Sequence, residues 1–337
     1  MISWRTTRLT LAAAVIGIGA AVAGSTEPAF GQDKPDAYPQ RPINLVVVYP
    51  AGGGMDVTAR TFAKNAETVL GHEFRVENRT GGGGLVGHTW LAKQAAADGY
   101  AVAVIAPSFF FNDALMRGGA YKAEDLEPLV FLNYEPLTLV VKSGQALADG
   151  GVKGLIDKAK ANPGDIKVGV VPGSMIEYFF EWLERDQGIE FTKVPYQGGK
   201  PAVAAVVAGD IDVYAAFYAE AEQFIDAGEL TVLAVTDDKP YAGLPDTPAL
   251  SDAGLDVAGD TWGAARIMAL PVGVPADVKA YLEAAFLEVL RAEQTVADYA
   301  DIGLALQPRG VDGTTKAYNE IFTQMETFLR QTGRLTD

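Results

Sequence analysis

Residues 43–56 read Ile43-Asn44-Leu45-Val46-Val47-Val48-Tyr49-Pro50-Ala51-Gly52-Gly53-Gly54-Met55-Asp56, and Val57-Thr58-Ala59-Arg60 follows at once. The largely apolar run Ile43–Tyr49 predicts a strand. From Val57, Ala59, Phe62, Ala63, Ala66, Val69 and Leu70 recur at helical spacing and stop at Gly71, which predicts a helix over 57–70. The turn between them is rich in glycine, which bends tightly and presents backbone N–H groups with no Cβ in the way. A helix start adds unpaired donors and a partial positive charge, so the turn can receive an anion. Asp56 falls where a helix N-cap is expected. No Gly-Lys-Ser/Thr follows the turn, and it lacks Gly-x-Gly-x-x-Gly, so neither a nucleoside-triphosphate loop nor a dinucleotide fingerprint fits.

The device recurs along the chain. Glu77-Asn78-Arg79-Thr80-Gly81-Gly82-Gly83-Gly84 separates strand Phe74–Glu77 from a helix over Leu85–Ala97, and Pro107-Ser108-Phe109 follows strand Tyr100–Ala106. Further on, Pro172-Gly173-Ser174 joins strand Ile166–Val171 to a helix over Ser174–Asp186. Pro195-Tyr196-Gln197-Gly198-Gly199 joins strand Phe191–Pro195 to a helix over Pro201–Ala208. Alternating strands and helices predict an α/β fold with parallel sheets covered on both faces. Such sheets bind ligands at the carboxyl edge of their strands. Leu137–Lys142 and Trp262–Leu270 read as strands that cross between two lobes, which predicts a discontinuous first lobe (38–138 plus 245–337), a second lobe (139–244) and a cleft between them.

The beginning of the chain sets the compartment. Arg5 and Arg8 precede an apolar run from Leu9 to Ala23, about 15 residues, shorter than the ~20 of a bilayer crossing. Small residues then offer cleavage after Ala23 or Gly31, so residues 1–31 read as a cleavable secretory signal and the protein as periplasmic. The chain has no Cys, which excludes a lipid-anchored form, disulfides and thiolate chemistry. The 27 Lys+Arg and 43 Asp+Glu lose two and one respectively with residues 1–31, leaving 25 and 42, a net charge of −17. Nucleic acid and anionic lipid are repelled by such a chain. An anion site within it needs local positive potential.

At these turns a resemblance emerges. Y-P-A-G-G-G-M-D-V-T-A-R, V-E-N-R-T-G-G-G-G-L-V-G and D-G-Y at Asp98–Tyr100 resemble the opening motifs of the Bug/TctC family, the periplasmic receptors of tripartite tricarboxylate transporters. The likeness continues through A-K-A-N-P-G (159–164), V-P-Y-Q-G-G (194–199), A-G-D-I-D (208–212), A-V-T (234–236), L-P-D-T-P (244–248) and A-G-L (253–255). It implies a two-lobed Venus-flytrap fold, type II-like, that captures a small organic carboxylate (di-, tri- or aromatic acid) for membrane transporter subunits, as a monomer without cofactor or metal. By position it implicates Gly53, Gly54, Met55 and Asp56 in the first turn, Gly83, Gly84 and Leu85 in the second, and Ser108 in the third, beside which the aromatic Phe109 is a further candidate. The facing lobe contributes Gly173, Ser174, Glu177, Tyr196 and Phe217. Met55 stands where the family carries Thr or Ser, Thr80 replaces a Pro, and Glu177 occupies a His position. An acid facing an anionic ligand would repel it, so Glu177 turns away, meets a donor, or is protonated.

Two other functions were open to these residues. Ser174 in a strand-to-helix turn suggests a hydrolase, but neither His72 nor His88 is placed by sequence to act as its base, and no H-E-x-x-H or G-x-S-x-G occurs. No catalytic residue is therefore assigned. A sensing receptor that hands its closed form to a signalling partner would use the same fold. Among the aromatics near the turns (Phe109, Phe110, Phe111, Tyr178, Tyr196, Phe217, Tyr218 and Trp262), most should pack and one or two should stack on a ligand.

Overall fold

The computed structural model describes residues 34–116, 120–241, 243–255, 257 and 262–335. The export signal expected over 1–31 lies outside the described residues. The first stretch gives strand β1 (Ile43–Val47), helix α1 (Gly54–Leu70), β2 (Phe74–Asn78), α2 (Leu85–Lys93), β3 (Ala101–Ile105) and α3 (Pro107–Met116). A long strand β4 (Leu126–Lys142) leads to α4 (Ala146–Asp149), α5 (Gly151–Ala161), β5 (Lys167–Val170), α6 (Met175–Gln187) and β6 (Thr192–Pro195). Then come α7 (Gly199–Ala208), β7 (Val213–Phe217), α8 (Tyr218–Asp226), β8 (Leu230–Val235) and β9 (Gly263–Pro271). Helices α9 (Ala276–Arg291), α10 (Glu293–Ala300) and α11 (Val311–Gln331) end the chain.

Nine strands form one continuous, curled sheet in the order β2-β1-β3-β9-β4-β7-β5-β6, with β8 also on β4. Strand β4 makes it continuous. Its 17 residues extend roughly 55 Å at a strand's rise per residue. Residues 126–136 pair with β9, while 137–142 pair with β7 and β8. The expected strand Leu137–Lys142 is thus only its second half. The expected all-parallel sheets are corrected to mixed ones: β1 is parallel to β2 and β3, and β5 to β6 and β7, but β9 and β4 run antiparallel to their neighbours. A chain that crosses from one half-sheet to the other and returns must insert its crossing strands in opposite senses.

Apolar runs are continuous where both faces are covered. Along β1 and β3, Leu45, Val47, Val102 and Val104 join one core, beneath α1, α9 and α10. Val46, Val48, Ala103 and Ile105 join the other. The split follows the two-residue alternation of side chains in a strand. At the crossover, buried Thr236 accepts a hydrogen bond at Oγ1 from Leu137 N–H (2.9 Å) and donates to the Trp262 carbonyl. Leu137 N–H also donates to that carbonyl at 3.1 Å. Three crossing segments therefore meet at one buried point.

Candidate functional site

Because β1, β2 and β3 are parallel neighbours with β1 in the middle, the turns after them emerge at one edge. The same holds for β5, β6 and β7 in the other half. Helix α3 joins the edges: Asn112 Nδ2 donates to the Gly173 carbonyl (3.4 Å), and Tyr178 Oη donates to Asn112 Oδ1 (3.1 Å).

The first turn differs from its sequence reading in one respect. Helix α1 begins at Gly54, three residues earlier than its apolar spacing indicated, and Gly53 is its N-cap with no side-chain capping bond. Asp56 is therefore not the cap but the third helical residue, only 2% exposed. Its Oδ2 accepts from Gly52 N–H (2.8 Å) and Arg60 Nε (2.9 Å), and its Oδ1 from Asn78 Nδ2 (2.9 Å). Burial would raise the Asp56 pKa, but the bonds from Arg60, Gly52 and Asn78 hold it below the ordinary value. Asn78 also donates to the Tyr49 carbonyl at 3.0 Å, so the first and second turns are tied together. Gly53 and Gly54 remain exposed, and Met55 packs at the margin of the core.

In the second turn, Gly83 and Gly84 lie in a single 3-10 turn, Gly82–Gly84, that runs into α2 at Leu85. Gly84 has φ of 113°, and a Cβ there would press on His88, Tyr49 and Val48. A Cβ on Gly87 would collide with the Arg79 carbonyl and Val48, so a close approach fixes that glycine. His88, fully buried, meets Asp113 on α3 (Nδ1 to Oδ2, 3.2 Å). The third turn is not a loop. Pro107 starts α3, placing buried Ser108 and half-buried Phe109 in its first turn, and Phe109 packs edge-on to Tyr49 with centroids 6.4 Å apart. Ser108 Oγ is buried without a hydrogen-bond partner.

In the second half, Ser174 is the N-cap of α6. Its Oγ accepts from Ile176 N–H (3.2 Å) and donates to the Val171 carbonyl (2.7 Å), so the hydroxyl is committed to the turn. Glu177 Oε2 accepts from Gly173 N–H at 2.7 Å, which turns the carboxylate onto its own loop. Tyr196 is held to its sheet through its N–H and the Val170 carbonyl (2.8 Å), and burial followed by Asp210 raises its phenol pKa. Phe217 N–H donates to Glu220 Oε2 at 3.3 Å. Glu220 also crowds Gly199, where a Cβ would strike its carboxyl group. Burial pushes the Glu220 pKa up to about 7, against the Phe217 bond, with Glu135 adding to the rise.

Several aromatics leave the candidate list for the core. Phe110 stacks on Tyr121, Phe111 meets Tyr318 and Phe322, Tyr178 meets Phe328, and Trp262 packs among Phe179, Trp182 and Phe328. Phe109, Tyr196, Phe217 and Tyr218 keep partial exposure. Sequence reasoning missed the polar residues on the crossing strands. Arg266 on β9 bonds Glu135 on β4 (Nη2 to Oε2, 2.6 Å), beside Asn133, and all three are buried. Its signal was legible: charged residues within otherwise apolar strand sequence. Among the described residues, no group of three or more His, Asp or Glu could hold a metal ion.

Two half-sheets joined by crossing strands, each carrying glycine-rich helix starts at the edge where its parallel strands end, define the class of two-lobed solute-binding proteins. Residues 58–322 match the family model described as tripartite tricarboxylate transporter family receptor. The chain is 32% identical over 304 residues to protein BugT of Bordetella pertussis, covering 88% of this chain and 89% of that protein. It is 33% identical over 247 residues to a protein of Cupriavidus necator encoded in the gbd 5′ region, covering 72% and 73% of the two chains. Among solved structures, a TctC solute-binding protein from Polaromonas superposes with a TM-score of 0.77 at 25% identity, over 87% of this chain and 99% of that one. The chain belongs to the tripartite tricarboxylate transporter receptor family, whose members are periplasmic solute-binding proteins. No helix among the described residues is long and apolar enough to cross a membrane.

Proposed function

We propose that this receptor captures a small organic carboxylate in the cleft, anchoring it on the start of α1, and delivers it to membrane transporter subunits. The carrying observation is the first turn itself. Gly53 and Gly54 are exposed at a helix start with no side-chain cap, and Asp56, Asn78 and Arg60 brace the turn from behind. Such a start offers unpaired N–H donors and a partial positive charge to a carboxylate. Gly83, Gly84, Leu85, Ser108 and Phe109 form the adjoining wall. Gly173, Ser174, Glu177, Tyr196 and Phe217 form the facing one, on the second lobe (139–244), which closes over the first (38–138 plus 245–337).

Residues 1–31 act as the export signal and are removed, and the mature monomer works in the periplasm. Binding without turnover fits the commitments of Ser174, whose hydroxyl is engaged on both sides by its own turn. The test is a thermal-shift panel of organic acids. Adipate and malate head it, since two proteins of the same fold were solved with those acids. A bound acid raises the melting temperature because it binds only the native state. A flat panel, or hydrolysis of an ester substrate, would refute the reading.

A further inference from the structure

Behind Gly54 lies a polar group that the turns do not use. Asn133 and Arg266 are cross-strand partners on β4 and β9, so their side chains leave the same face of the sheet. Glu135, two residues along β4, shares that face. The Arg266 side chain is 9% exposed and that of Glu135 2%, joined by one bond of 2.6 Å. Around this bond five buried polar atoms have no hydrogen-bond partner among the described residues: Arg266 Nε and Nη1, Glu135 Oε1, and Asn133 Nδ2 and Oδ1.

An ion pair kept only for packing meets its remaining donors and acceptors locally, because isolated buried charge is costly. This one does not. The guanidinium also lies against the helix start. The direction in which Gly54 would carry a Cβ points at Arg266 Nη2, 3.8 Å from where that atom would stand. The turns themselves hold acids: Asp56 and Glu177 each close on a backbone N–H of their own turn. In a chain of net charge −16, an anion at Gly54 needs a nearby cation. Arg60, the other cation of this turn, is engaged by Asp56 with its side chain 54% exposed.

We propose that Arg266 is the cation of the carboxylate site on α1, with Glu135 as a counter-ion from which the bound carboxylate takes a share of the guanidinium. This rests on the reading of the α1 start as a carboxylate anchor. Glu135 then tempers affinity, since a fully unneutralised buried guanidinium would hold any small anion. Asn133 supplies a neutral amide that orients either charged partner as the share shifts.

The test is titration calorimetry with adipate, malate and succinate on the wild-type protein, Arg266→Met, Glu135→Gln and the double variant. Arg266→Met weakens the acid that wild type binds best by ~30-fold or more, as removal of one partner of a desolvated charge pair does. Glu135→Gln tightens it by roughly 3-fold or more, because the guanidinium loses its competitor. The double variant leaves no lone buried charge and so keeps the fold should Arg266→Met alone fail to. Its affinity falls as far as that of Arg266→Met. A purely structural pair gives a different pattern: Glu135→Gln weakens binding, or the double variant binds within about 2-fold of wild type. Either result overturns the role of Arg266 and leaves the carboxylate anchor standing. If wild type binds none of the acids, the anchor falls and Arg266 with it.

Discussion

The turns Gly52–Asp56 and Gly173–Glu177 have the same construction and different surroundings. In each, a carboxylate four residues after a glycine accepts that glycine's N–H, at 2.8 Å in the first and 2.7 Å in the second. Asp56 is buried and takes two further bonds, from Arg60 and from Asn78 at the end of β2. Glu177 is half-exposed in the first turn of α6, and Ser174 supplies the cap of that helix. The first turn is therefore fixed before any ligand arrives, as an anchor must be. The second can release its glycine N–H at little cost, because water can replace the Glu177 carboxylate there. This asymmetry suits the proposed capture on one lobe and closure with the other.

The largest effect should come from Asp56→Ala. It strips the Gly52 N–H and the Asn78 amide of their buried acceptor and leaves Arg60 unpaired. We expect a loss of about 2–4 kcal/mol in denaturant unfolding, together with loss of acid binding. The Asp56 pKa is lowered in the folded state, so its contribution is present above the ordinary carboxylate pKa and vanishes as pH falls through the lower folded value. The variant should thus differ from wild type at pH 7 and converge with it in strong acid. Equal stability at pH 7 would show that the brace does not matter.

Next is Gly54→Val. Among the described residues a Cβ there comes near only Arg266 Nη2, at an ordinary contact distance, so the fold tolerates the residue within about 1 kcal/mol, while the branch fills the proposed anion position. Glu220→Gln comes third and speaks for the second lobe. A carboxyl with its folded pKa raised to about 7 stabilises the fold while protonated, and that stability is lost as pH rises from about 4.5 to 7. The variant should flatten the slope of melting temperature against pH across that window, and an unchanged slope would remove Glu220 from consideration. The smallest effect belongs to Glu177→Gln. Stability should stay within about 0.5 kcal/mol, since the exposed carboxylate holds one N–H that water can also serve. A cost as large as that of Asp56→Ala would erase the asymmetry.

Much of this fold was legible because its strands are short, apolar and punctuated by glycine. The strand from Ile43, which ends at Val47 rather than Tyr49, the helix that stops before Gly71 and the turn at Gly81–Gly84 follow periodicity and glycine. Other features depend on tertiary context. Nothing in local spacing shows that β4 runs unbroken from Leu126 to Lys142, because its two halves pair with different neighbours. Gly53, Gly54 and Met55 give no apolar period, so the sequence does not mark the α1 start and Asp56 has the pattern of a cap. Pro107 follows a strand as a loop residue would, yet it opens α3, because proline suits the first helical position. The bond from Asn78 to Asp56 joins two turns and leaves no sign in the local sequence of either. Asn133, Glu135 and Arg266 lie on the strands behind those turns, where no turn motif marks them.

The central claim is that an organic acid is held at the exposed start of α1. Calorimetric titration of wild type and Gly54→Val, with the acid that most raises the wild-type melting temperature, tests it most directly. The account predicts saturable one-to-one binding to wild type and no measurable heat from a variant that remains folded. A folded Gly54→Val protein that binds the acid as tightly as wild type would contradict it.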